Sequence, residues 1–318
     1  MTTDRIKVGV IGVGYLGRHH ARLYAELPGA QLIGVADVDP ARAAEVAAAT
    51  GTTAYTQYRD LLGLVDAVSV VVPTSLHAEV AGECLAAGLD VLLEKPMTVT
   101  LEEADRLVEL AETRGRIIQI GHLERFNGAV RALVSRLGHP RFIESHRLGP
   151  FVGRGTDVHV ILDLMIHDLD IILSLVRSPI VDIRAVGVPV LTSNIDIANG
   201  RLEFADGCVA NVTASRVSKE PLRKLRVFQS DAYFSLDYQK QEVVMARRLG
   251  AASATGLPAI DVQTLAIEKE EPLKAQLSAF LESVATRRSP LVSGREGREA
   301  LRVALDVLRC IEHGGGRV

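Results

Sequence analysis

Two short strings hold residues that could do chemistry. Glu94-Lys95-Pro96 follows an apolar run. A lysine at that point is a compact cation and proton donor whose pKa falls readily once desolvated. Pro96 fixes the turn and with it the direction of the lysine. Asp163-Leu164-Met165-Ile166-His167-Asp168 sets Asp163 and His167 four residues apart, so on one helix both face the same side. A histidine held by a carboxylate is a general base, because the carboxylate fixes its tautomer and stabilises the imidazolium. Each string also has a plainer reading, a surface lysine after a strand and a satisfied core histidine. Asp and His at helical spacing can ligate zinc, but no cysteine lies nearby and no HxxH or HExxH pattern follows, so no metal is expected.

A third constellation is longer. The apolar run Ile6 to Ile11 leads into Gly12-Val13-Gly14-Tyr15-Leu16-Gly17. A helical pattern follows to about Leu27, then a second apolar run from Gln31 to Ala36 ends on Asp37. Gly12 permits the tight turn, Gly14 lets a pyrophosphate approach the backbone, and Gly17 lets helix and strand pack closely. With the intervening Tyr15 and Leu16, this turn offers helix N-terminal amides to phosphates. Asp37 is placed to accept from the adenosine ribose hydroxyls. A 2′-phosphate there would meet like charge and Val38 supplies no arginine, so the expected cofactor is NAD rather than NADP.

Stepping along the chain, the elements that must position these groups fall into two patterns. As far as residue 122, apolar strand-like runs alternate with helical ones. Asp39-Pro40 reads as a helix start, Ser75 as a cap, and Thr100-Leu101-Glu102-Glu103 as a capping box. The expected result is a doubly wound parallel sheet. Gly12 to Gly17, Asp37, Pro73 to His77, Glu94 to Pro96 and His122 all fall at the carboxyl ends of its strands, where such sheets bind ligands. After Leu123, a helix (127–137) and a strand (141–148) precede a helix over 161–175. Six strand-like runs then follow between 181 and 246 without intervening helices. That order predicts a mostly antiparallel sheet. Residues 251–271 read as a loop or linker, and helices over 272–287 and 294–313 close the chain. The fold class expected is α/β, with a dinucleotide-binding domain over 1–122 and a second domain over 123–318. The last helices and that at 161–175 are expected to cover one face of the second sheet, leaving the other to a second subunit in a homodimer or homotetramer.

Composition narrows the partners. Of 318 residues 47% are hydrophobic, enough for two full cores, and the net charge of −3 argues against nucleic acid or an anionic membrane. Met1 to Arg5 lead straight into a strand, no apolar run reaches a membrane span, and Cys84, Cys208 and Cys310 form neither a disulfide framework nor a metal spacing. A cytoplasmic protein with reduced thiols is expected.

Taken together, Gly12 to Gly17, Glu94-Lys95-Pro96, Gly121-His122-Leu123-Glu124-Arg125-Phe126 and Asp163-xxx-His167 resemble the Gfo/Idh/MocA oxidoreductases over essentially the whole chain. The resemblance implies hydride exchange between a nicotinamide and a carbinol carbon of a sugar or polyol. It implies Lys95 as the catalytic lysine, His167 with Asp163 as the catalytic histidine and its partner, and Pro73, Thr74 and His77 as the loop beside the nicotinamide ribose. Glu94 and Lys95 border the cofactor, and His122, Glu124, Arg125 and Phe126 the substrate. Residues 122–155 contain six arginines, no lysine and two acids. Arginine forks suit phosphate geometry, and Arg147 and Arg154, flanking the Gly149–Gly153 loop, are the candidates for an anionic substrate. The string His146 to Phe151, with the 163–170 helix and 210–218, resembles the branch that oxidises the 3-hydroxyl of UDP-N-acetylglucosamine in lipid A diamino-sugar synthesis. The alternatives are an inositol or other sugar dehydrogenase of the same family, a non-catalytic NAD-binding regulator, and an interaction module built on the sheet.

Overall fold

The computed structural model describes residues 5–153, 158–249 and 259–314. They form two units. The first comprises residues 1–123 and 271–299, and the second residues 124–270 and 300–318.

The first unit is the doubly wound sheet. Strands β1 (Ile6–Ile11), β2 (Ala30–Ala36), β3 (Thr53–Tyr55), β4 (Ala67–Val70), β5 (Asp90–Leu93) and β6 (Ile118–Ile120) lie in the order β3-β2-β1-β4-β5-β6. Every pairing is parallel. Helices α1 (Gly17–Glu26), α2 (Pro40–Thr50), α3 (His77–Ala86) and α4 (Leu101–Thr113) link them. Local chemistry sets the helix ends. The Asp39 carboxylate accepts from the amides of Ala41 and Arg42 with Pro40 at the first position, and Thr100 and Glu103 form a reciprocal capping box. Ser75 does not cap α3. A 3-10 turn over Thr74–Leu76 precedes the helix, which starts at His77 without a side-chain cap.

Helix α7 (Pro272–Thr286), expected from sequence to cover the second sheet, does not. Its Leu277, Phe280, Leu281 and Val284 pack into the core of Val8, Val10, Leu23 and Tyr24. The single boundary expected at 122/123 is therefore not the division in the structure, because residues 271–299 return to the first unit.

The second unit is built on eight strands: β7 (Phe142–Leu148), β8 (Ile180–Val188), β9 (Ile197–Phe204), β10 (Val209–Ser215), β11 (Leu222–Phe228), β12 (Ala232–Asp237), β13 (Glu242–Leu249) and β14 (Ala259–Thr264). Their order is β14-β13-β12-β11-β7-β10-β9-β8, and every pairing except β10 with β7 is antiparallel. Strand β14 lies in the stretch expected to be loop. One sheet face packs on α5 (Gly128–Val134), on α6 (Ile166–Leu175) and on the later turns of α8 (Gly294–Glu312) through Ile143, Val212, Leu225, Phe234, Ile172 and Val307. Alternation puts Phe142, Phe228 and Tyr233 on the other face, half-buried, with ring centroids 5.6 and 4.8 Å apart in sequence.

Candidate active site

In the first unit the glycine turn is built as its spacing demands. Gly12 has φ +84°, and a Cβ there would lie 2.5 Å from the Val71 carbonyl oxygen. A Cβ on Gly17 would lie 1.8 Å from the Gly12 carbonyl oxygen, whereas one on Gly14 would meet nothing within 4 Å. Backbone contact thus requires two of the glycines, and the third leaves open space where a ligand can approach. Tyr15 and Leu16 are exposed. The Asp37 carboxylate closes the turn, accepting from Val13 N at 2.9 Å and from Asp39 N at 3.0 Å.

An arginine does reach this acid. Arg42, on the first turn of α2, brings Nη1 to 3.1 and 3.4 Å from the two Asp37 oxygens. The immediate neighbour Val38 lacks a cation, but the helix returns one five residues on. Sequence spacing could have found it, since Asp39-Pro40 fixes the helix start.

At the ends of β4 and β5 the candidates separate into those on the surface and those inside. Pro73 is exposed and Thr74 half-buried. His77 is 1% exposed, with Nδ1 2.9 Å from the Pro96 carbonyl and Nε2 2.9 Å from the Val72 carbonyl. Expected beside the cofactor, it instead joins two strand-end loops, one of them carrying Lys95. Burial pushes its pKa down, and the two carbonyls offset this in part. Lys95 is half-buried and leads into Pro96 through a cis peptide bond. Glu94 accepts from Lys95 N at 3.3 Å and faces His20 Nε2 at 3.4 Å. Burial works against its charged form, yet the His20 hydrogen bond and the His20 and Lys95 charges outweigh it and hold the carboxyl below its usual range. Gly121 is needed here, because a Cβ would lie 2.7 Å from Glu94 Oε1. His122 is buried. Sequence reasoning missed His20, which sits inside α1 and carries no motif of its own.

In the second unit Asp163 and His167 are both half-buried. They are not on one uniform helix. Ile161–Met165 forms a single π-helical turn that runs into α6, so Asp163 lies on the π turn and His167 on the α-helix. Such turns recur at functional sites, where they re-aim side chains.

Next to His167, Asp168 is fully buried and anchors the helix to β7. Arg147 gives Nε to its Oδ2 at 2.6 Å and Nη2 to its Oδ1 at 3.3 Å, and Ser145 Oγ donates to Oδ1 at 2.8 Å. Arg147 Nη1 donates to Glu124 at 3.1 Å, and its guanidinium lies 5.1 Å from the Tyr238 ring centroid. Asn127 ties Glu124 and the Tyr238 carbonyl together at 3.2 and 3.1 Å. Burial works against the Arg147 charge, but Asp168 and Glu124 outweigh it and raise its pKa. Burial also raises that of Tyr238.

This corrects the expectation for Arg147. At 4% exposure, with its fork engaged by two carboxylates, it is a buried strut and not a phosphate clamp. Glu124 shares in that strut, Phe126 is buried, and Arg125 is 10% exposed with Nη1 3.4 Å from Asp170 Oδ1. Arg154 lies outside the described residues. Among the described residues no group of His, Cys, Asp and Glu could hold a metal ion, and no helix is long and apolar enough to cross a membrane.

These features define a dinucleotide-binding oxidoreductase. The family model for the NAD-binding Rossmann fold of Gfo/Idh/MocA oxidoreductases matches residues 6–122, and that for the family's C-terminal domain matches 125–235. The chain belongs to the Gfo/Idh/MocA family.

Within it, the chain is 42% identical over 308 residues to UDP-N-acetylglucosamine 3-dehydrogenase of Acidithiobacillus ferrooxidans, covering 96% of this chain and 97% of that one. A solved structure of that enzyme superposes with a TM-score of 0.92 at 41% identity, covering 98% and 99% of the two chains. An inositol dehydrogenase homologue from Azotobacter vinelandii, solved with NADH and myo-inositol, shares the fold at 19% identity, with a TM-score of 0.86 and coverage of 99% and 98%.

Proposed function

We propose that this enzyme oxidises the 3-hydroxyl of a UDP-N-acetylhexosamine, UDP-N-acetylglucosamine, to the 3-keto sugar nucleotide. The observation that carries this reading is the near-full-length identity of 42% to an enzyme named for that reaction. The residues are compatible with the chemistry. NAD, when bound, accepts the hydride from the carbinol carbon. His167, with Asp163 on the preceding turn, takes the hydroxyl proton, and Lys95 offsets the charge developing on the oxygen. One C–H and one O–H bond break, a C=O bond forms, and the proton passes to His167 and then to solvent. The turn of Gly12, Gly14, Tyr15, Leu16 and Gly17 faces the pyrophosphate, and Asp37 the adenosine ribose. Pro73, Thr74, Glu94 and Lys95 border the nicotinamide end. His122, Arg125 and Arg154 remain the candidates for the sugar nucleotide, Glu124 being engaged by Arg147 and Phe126 by the core.

The second face of the eight-stranded sheet, carrying the half-buried rings of Phe142, Phe228 and Tyr233, supports a homo-oligomer through that face, a homodimer or homotetramer. With a sugar nucleotide as substrate, we infer a cytoplasmic enzyme that supplies a 3-keto sugar nucleotide for diamino-sugar lipid A synthesis.

The test is the appearance of NADH with NAD and UDP-N-acetylglucosamine, and the position of the new carbonyl. Lys95→Ala and His167→Ala should each lower turnover by roughly 10²–10⁴-fold. An inert result with UDP-N-acetylglucosamine but turnover of myo-inositol would replace the substrate. Near-normal turnover in both variants would remove the two roles, and tight NAD binding with no oxidation of any sugar would favour a regulator.

A further inference from the structure

The acid at the end of β2 is held in a way that leaves its arginine partner spare. Two backbone amides, from Val13 and Asp39, already position the Asp37 carboxylate at 2.9 and 3.0 Å, and Asp37 itself is 8% exposed. The Arg42 side chain is 46% exposed. Besides Asp37, its Nη2 lies 3.2 Å from Asp39 Oδ2. The Arg42–Asp39 pair is exposed on both sides and contributes little, and the Asp37 carboxylate, itself buried, keeps its two backbone amides when the guanidinium turns away. It sits at the edge of the carboxylate that a dinucleotide's adenosine ribose would meet. A planar fork matches a phosphate monoester as well as it matches a carboxylate.

We propose that Arg42 is a cofactor-specificity residue that makes this site tolerant of a 2′-phosphate. Asp37 selects the dinucleotide with a free 2′-hydroxyl. Arg42 turns from Asp37 to the 2′-phosphate when the phosphorylated dinucleotide binds, offsetting the repulsion that Asp37 alone would impose. The enzyme therefore binds NADPH measurably, though more weakly than NADH, and the arginine is the reason.

The experiment is a fluorescence titration of the substrate-free protein with NADH and with NADPH, read as two dissociation constants. Arg42→Ala should weaken NADPH binding by about ten- to a hundredfold, the scale of a lost hydrogen bond to a charged group, and change NADH binding by less than about threefold. Raising the salt concentration should weaken NADPH binding more in the wild type than in Arg42→Ala. Asp37→Ser should shift the NADPH:NADH affinity ratio towards NADPH by about a hundredfold, and Asp37→Ser/Arg42→Ala should lose most of that shift. Melting of each cofactor-free variant shows whether it is folded. Three results would overturn the proposal: equal weakening of both dinucleotides in Arg42→Ala, which would make the arginine merely a support for Asp37; no change in either; or an NADPH gain in Asp37→Ser that survives loss of the arginine.

Discussion

The three glycines of the first turn differ physically, and one substitution applied to each separates folding from cofactor binding. At Gly17 an added Cβ would sit 1.8 Å from the Gly12 carbonyl oxygen. Ordinary carbon–oxygen contacts are about 3.3 Å, so strand end and helix start would have to part by roughly 1.5 Å within a tight turn. Strain of this kind costs about 1–3 kcal/mol or more. At Gly12 the added atom meets the Val71 carbonyl at 2.5 Å and the residue must hold φ +84°, which adds about 1–2 kcal/mol for any L side chain. At Gly14 nothing lies within 4 Å. Gly14→Ala should leave stability unchanged or raise it by about 0.4–1 kcal/mol, through a less flexible unfolded chain. Its methyl group enters the space a pyrophosphate would take, so NADH affinity should fall by about ten- to a hundredfold. Melting curves and NADH titrations on the same three variants give both readouts. Gly17→Ala and Gly12→Ala should melt several degrees lower, and Gly14→Ala should melt normally yet bind poorly. A Gly14→Ala protein that binds NADH as tightly as the wild type, or that melts as low as Gly17→Ala, would refute the reasoning.

Other consequences concern buried polar residues within each unit. Asp168→Ala leaves the Arg147 guanidinium buried with only Glu124 opposite it. Urea unfolding should show a loss of about 3–5 kcal/mol, most of it recovered when both residues are replaced by Met and Leu; a loss below about 1 kcal/mol would contradict a buried strut. Asp196 is fully buried, which opposes its charge, but the amides of Leu191, Thr192 and Val190 and the Thr192 hydroxyl outweigh this and hold its pKa at about 2. Unfolded, it titrates near about 3.9. Its stabilisation should be complete above that value and vanish as pH falls towards about 2, so wild type and Asp196→Asn should converge in melting temperature over that window. His77 has its pKa lowered by burial, so below about 6.5 the unfolded ring takes a proton that the folded one resists. Stability should therefore decline from pH 7 to 5 more steeply in the wild type than in His77→Gln. The variant should also lose turnover more than NADH affinity, because the ring joins the Val72 and Pro96 loops.

Where each residue's environment is made by its near neighbours in sequence, the chain could be read directly. The glycine turn, Asp37 and the alternation of strands with helices in the first unit are of this kind, each feature complete within about thirty residues. Residues whose meaning depends on distant partners could not be read so. Arg147 shows the difference. In sequence it is one of six arginines beside a glycine-rich loop, a fair phosphate ligand. In the fold, Asp168 meets it from 21 residues away and Glu124 from 23, and desolvation turns an anion clamp into an internal tie. Helix α7 repeats the lesson in apolar form: periodicity announces that Leu277, Phe280 and Leu281 will be buried but carries no address, and the core they join belongs to the first unit. Strand β14 was missed for the opposite reason, being nearly all exposed and so without the buried alternation that marks a strand. The proposed reacting groups fall between these cases. Lys95 and His167 were visible as types at a spacing, whereas the elements that aim them were not. The Val72–His77–Pro96 bridge and the Asp168–Arg147 tie are both assembled across the fold, and a substitution in either should change how a competent residue is presented without touching the residue itself.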